Sequence, residues 1–103
     1  MLTKKYKTKL KLDVIQSLHS IIGMLIMTKV EADDDKLLFS VLADIKGIMS
    51  DRMDNLQKEA SFSFTPAQAF ALRILSTDYV MNKTTQTGNR LHQIANEVHN
   101  FYQ

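Results

Sequence analysis

Val14-Ile15-Gln16-Ser17-Leu18-His19-Ser20-Ile21-Ile22-Gly23-Met24-Leu25-Ile26-Met27-Thr28 contains no Asp, Glu, Lys or Arg. Its apolar residues recur every three to four positions, the period of one face of an α-helix. On a wheel of about 3.6 residues per turn, Leu10, Val14, Ile15, Leu18, Ile21, Ile22, Leu25 and Ile26 share a wide arc. Gln16, Ser20, Gly23, Met24 and Met27 lie opposite. A solvent-facing helix back normally carries charge. A helix over 12–29 with no charged back from 14 to 28 belongs at the centre of a bundle or under another chain.

The next stretch has the same period with a charged back. Leu37, Leu38, Val41, Leu42, Ile45, Ile48, Met49, Met53 and Leu56 form an apolar face, and Asp44, Lys46, Asp51, Asp54 and Lys58 lie across from it. Glu31-Ala32-Asp33-Asp34-Asp35 supplies the turn, an N-cap at Asp33 or Asp34 and acidic groups at the positive end of the helix dipole. This helix is predicted over 34–59. Ser61-Phe62-Ser63-Phe64 reads as a loop. Thr65-Pro66-Ala67-Gln68 is a strong helix start, with a cap, a proline at the first turn and a capping-box glutamine. Helices follow over 66–81 and 88–102, the second with a stripe of Leu91, Ile94, Ala95, Val98 and Phe101. The polar 82–89 segment with Gly88 favours two helices over one.

The expected fold is therefore all-α, a small bundle of three to four helices. It forms one domain over 12–103 behind a basic N-terminal arm over 1–11. Three Gly and one Pro in 103 residues leave few turns for a β-rich fold. In the arm, Tyr6-Lys7-Thr8-Lys9-Leu10-Lys11 alternates with a strand's period of two. Leu2, Tyr6, Leu10, Val14 and Leu18 also keep helical spacing. With no strand partner in view, the arm is expected to be a helical or frayed extension of the first helix.

Charge is segregated. Net charge over the whole chain is +2, but residues 1–30 sum to +5, residues 31–60 to −4 and residues 61–103 to +1. There is no Cys, which excludes disulfides and thiol chemistry and fits a reducing, cytoplasmic setting. No signal peptide or membrane span is read from the sequence, because the apolar stretch 14–27 is too short and too polar.

Catalytic signatures are missing. There is no phosphate-binding glycine loop and no nucleophile elbow. His92 and His99 are seven apart, too far for chelation from one helix, and the spacing around Asp33-Asp34-Asp35 is not that of a calcium loop. No catalytic residue, metal site, cofactor or small-molecule substrate is predicted.

Two surfaces remain. Ser40, Ala43, Gly47 and Ser50 form a small-residue strip on the back of the second helix, where a mid-helix glycine costs about 1 kcal/mol relative to alanine. Ser20 and Gly23, flanked by Met24 and Met27, form a similar strip on the first. Such strips admit a close helix neighbour, and methionine suits adaptable contacts. The leading expectation is a non-enzymatic interaction protein that self-associates or binds a protein partner. The alternative is a nucleic-acid-binding accessory protein whose Lys4, Lys5, Lys7, Lys9 and Lys11 track a phosphate backbone. It is helped by a polar helix start at Thr84–Arg90 of the kind a helix-turn-helix presents.

Overall fold

A computed structural model describes residues 3–54 and 58–103. Strand β1 (Tyr6–Lys11) leads into helix α1 (Leu12–Ile26). Helix α2 (Asp33–Met53) is followed by strand β2 (Glu59–Phe64). Helix α3 (Pro66–Ile74) passes into a π-helical turn (Leu75–Tyr79), and helix α4 (Gln86–Phe101) closes the chain.

The all-α expectation is overturned. β1 and β2 form a two-stranded antiparallel sheet, so the fold is mixed: helical hairpins with a small sheet. The arm is a strand, not a helical extension, and 61–64 is strand, not loop. Glu59-Ala60-Ser61-Phe62-Ser63-Phe64 alternates exposed and buried without a break, and Tyr6 and Leu10 of β1 are buried while Lys7, Lys9 and Lys11 are exposed. The Leu12 amide donates to the Lys58 carbonyl at 2.7 Å. With that register Lys7 lies opposite Ser63 and Lys9 opposite Ser61.

The chain divides into two compact units, Leu10–Ala60 and Met1–Lys9 with Ser61–Gln103. In the first, α1 and α2 form an antiparallel hairpin. His19 meets Ser50 at 2.7 Å, and the Lys46 stem passes Gly23. Val14, Ile15, Leu18 and Ile22 of α1, and Leu38, Phe39, Leu42, Ile45 and Met49 of α2, are buried. The buried arc of α2 turns toward Phe39, on the flank that meets α1. Leu37, expected inside, therefore stands 68% exposed. Helix boundaries also move. α1 stops at Ile26, and Ala32 rather than an aspartate is the N-cap of α2, leaving Asp33, Asp34 and Asp35 in its first turn. The expected run of α2 to Glu59 fails because Glu59 is already in β2; Leu56 lies outside the described residues.

In the second unit α3 packs on α4. The capping box at Thr65 forms as read: Gln68 N–H donates to Thr65 Oγ1 at 3.2 Å, and Thr65 N–H to Gln68 Oε1 at 3.0 Å. The 66–81 helix changes register at Leu75, and the Val80 amide donates to the Leu75 carbonyl at 2.8 Å. Gly88 does not break a helix. It is buried in the first turn of α4, where its amide donates to the capping Thr85 hydroxyl at 3.0 Å. A Cβ at Gly88 would lie 1.8 Å from the Asn82 carbonyl oxygen, so glycine lets the incoming loop touch the helix backbone.

Candidate functional site: the outer face of the helical hairpin

Contacts between α1 and α2 run through His19 and Gly23 on one side and Lys46 and Ser50 on the other. About a quarter turn from that seam, away from the buried arcs, both helices face outward. Gln16, Ser20 and Met24 of α1 and Met27 at its C-cap are the exposed residues between 14 and 27, so the outward stripe is uncharged. Met24 is 76% and Met27 86% exposed. On α2 the exposed residues include Ser40, Ala43 and Gly47, with Ser50 half-buried beside the seam. The two strips read separately from the sequence thus lie on one face of one hairpin.

The two glycines in this face are not equivalent. A Cβ at Gly23 would meet the Lys46 Cε at 3.1 Å, so the hairpin's own packing accounts for that glycine. A Cβ at Gly47 meets nothing within 4 Å. Neither packing nor backbone conformation requires glycine there, since no glycine has a positive φ. Ser50 is likewise partly committed, to His19.

A feature the helix-by-helix reading missed is the symmetry of the α2 strip. Lys36, Ser40, Ala43, Gly47, Ser50 and Asp54 are spaced alternately four and three apart, and all lie within about 80° on the wheel. The order is self-complementary when reversed: Lys36 corresponds to Asp54, Ser40 to Ser50 and Ala43 to Gly47. Reading the strip against its own reverse is the signal that would have found it.

Of the lysines, Lys7, Lys9 and Lys11 project from the outward face of β1, Lys5 is exposed just before it, and Lys4 Nζ sits 5.0 Å from the centre of the Phe101 ring. Alternate residues on a strand are about 6.6 Å apart. Opposite Lys7 and Lys9, Ser63 and Ser61 carry no charge. Arg90 is not available as a base reader. It donates to Thr8 Oγ1 at 2.8 Å and the Lys9 carbonyl at 3.3 Å, and pairs with Glu97 at 3.4 Å. Glu97 also accepts from the Tyr6 hydroxyl. Burial, then the hydrogen bond to the Glu97 carboxylate, pushes the Tyr6 phenol up to about 12. This network ties β1 to α4 and is structural. With a π turn and an open segment before α4, the helix-turn-helix likeness is lost.

Among the described residues no cluster of three or more His, Asp or Glu could hold a metal ion, and no helix is long and apolar enough to cross a membrane. Comparison with known proteins finds no matching family model, no matching curated protein and no matching solved structure.

Proposed function

We propose that this chain is a non-enzymatic interaction protein of the cytoplasm that self-associates through the outer face of its α1–α2 hairpin. The observation that carries the reading is the self-complementary strip on α2, whose midpoint lies between Ala43 and Gly47, with open space above the glycine. A two-fold axis crossing the strip at its midpoint lays α2 antiparallel on its counterpart. Small residues then meet small residues over the middle, and Lys36 meets Asp54 at each end, about 27 Å apart. The same axis lays α1 on its counterpart and covers the uncharged stripe holding Ser20, Met24 and Met27. Burying the exposed Met24 and Met27 contributes roughly 25 cal/mol per Å², and the end pairs select the antiparallel register.

Sedimentation velocity over a range of concentrations tests this. Lys36→Glu sets two acidic pairs in the interface and is expected to dissociate the dimer. Adding Asp54→Lys restores opposite charges and association. A wild-type chain that stays monomeric at tens of micromolar, or a double variant no better than the single, removes the reading.

A second reading has its own observation, the exposed Lys7 and Lys9 on one face of β1 with Lys5 exposed just before it. Such a row fits a phosphate backbone; lysines on an open strand also deter edge-to-edge pairing. Binding of a duplex oligonucleotide through three phosphates would weaken with salt at a log–log slope of about −2.7, and replacing the three lysines with glutamine would abolish it. Absence of binding at low salt, or binding indifferent to the replacement, leaves the lysines as edge protection.

A further inference from the structure

The second unit holds a cavity of about 370 Å³ at the junction of α3, the π-helical turn and α4. Arg73, Lys83, His92, His99 and Asn96 line it, with Met81 as an apolar wall, and no Asp or Glu does. His92, Asn96 and His99 stand on one face of α4. Arg73 comes from the last turn of α3, and the π register that follows sets Ser76 and Thr77 against the same space. The Thr77 hydroxyl donates to the Arg73 carbonyl at 2.9 Å, which ties the π turn to the end of α3. Single π turns recur at functional sites because they re-aim the side chains around them.

The donor inventory is one-sided. A guanidinium, an ammonium, two imidazoles and an amide converge, and among the described residues no carboxylate pairs with Arg73 or Lys83. Asp78 lies on the π turn but does not line the cavity. Asn96 Nδ2 lies 3.5 Å from His92 Nε2 and Gln103 Nε2 lies 3.2 Å from His99 Nε2, both exposed neutral contacts that a charged ligand displaces. Gathering cations without a counter-charge is unfavourable unless an oxyanion joins them, and charge-assisted bonds from arginine to phosphate are among the stronger polar contacts. Size narrows the class. At about 30 Å³ per water the volume equals roughly a dozen waters, too much for a bare ion and at the lower end of small-molecule sites. We infer that this cavity binds a small organic phosphate, its phosphate held by Arg73, Lys83 and the two histidines and its organic part against Met81.

The chain's three histidines supply the assay. His92 and His99 line the cavity, while His19 sits on α1 against Ser50. Imidazole NMR of the full chain, titrated with glycerol 3-phosphate at constant pH and ionic strength, should show saturable shifts of His92 and His99 and a still His19. Glycerol should give none, and inorganic phosphate should bind more weakly. Arg73→Gln and Lys83→Gln should each weaken binding by about tenfold, with Lys9→Gln as the control for diffuse charge; Lys83 is exposed, so its replacement leaves the fold intact even where Arg73→Gln does not. Three outcomes overturn the inference. They are no shift at millimolar ligand, equal movement of all three histidines, and equal weakening by Lys9→Gln. Inorganic phosphate binding as tightly as the ester overturns the organic part of the assignment.

Discussion

Replacing Gly47 separates what the fold needs from what association needs. Gly47 is in the middle of α2, 14 residues after its first, and an added Cβ finds nothing within 4 Å. Gly47→Ala therefore keeps every contact and gains helix propensity, about 1 kcal/mol. For a chain of this size that raises the melting midpoint of the monomer by about 4–8 °C. Gly47→Leu also gains propensity but puts a branched side chain where two helices are proposed to touch. Overpacking costs about 1–3 kcal/mol per inserted side chain, and two-fold symmetry inserts two. The dimer should weaken by roughly thirtyfold at the low end. Melting curves at two protein concentrations read both effects. Wild type should show a concentration-dependent midpoint, because association stabilises the folded form by mass action. Gly47→Leu should melt higher than wild type when dilute and show little concentration dependence. A lower midpoint for Gly47→Ala in dilute solution would refute the reasoning, since glycine would then serve the chain's own fold. Undiminished association of Gly47→Leu would refute the interface.

Other outcomes test the second unit. The Tyr6 phenol, held up to about 12 by burial and by Glu97, favours its neutral form in the folded state; its contribution is complete below pH 10 and is lost as pH rises through about 12, on the order of 2 kcal/mol. Tyrosinate absorbance should show one late component that disappears in Tyr6→Phe, and a single midpoint near pH 10 for all three tyrosines would count against it. Gly88→Ala forces the Asn82 carbonyl away from 1.8 Å and should cost roughly 1–3 kcal/mol in chemical denaturation; a neutral result would mean the loop before α4 yields freely. Thr65→Ala removes the hydroxyl that caps α3 and should cost about 1 kcal/mol, with Thr65→Ser close to neutral in the same assay.

Much of the helical framework was readable from local chemistry. The period of α1, its uncharged outer stripe, the capping box at Thr65 and the apolar stripe of α4 depend on residues within a few positions of one another, and each appears where its pattern lies. The two small-residue strips were legible as well. That they lie on one face was not, because it depends on which flanks of α1 and α2 meet. That meeting also showed Gly23 to be occupied by Lys46 and Gly47 to be open.

What sequence alone determined, then, is the helical periodicity and the lack of charge on the back of α1. Only the tertiary structure decided that the lysine arm is a strand. A strand becomes stable only beside a partner, and the partner of Tyr6–Lys11 lies beyond two whole helices, in a segment whose alternation of small and aromatic residues looks like a loop until something pairs with it. The same holds for the basic cavity. His92 and His99 are unremarkable on their own helix and line a common cavity with Arg73 and Lys83 only through the tertiary fold.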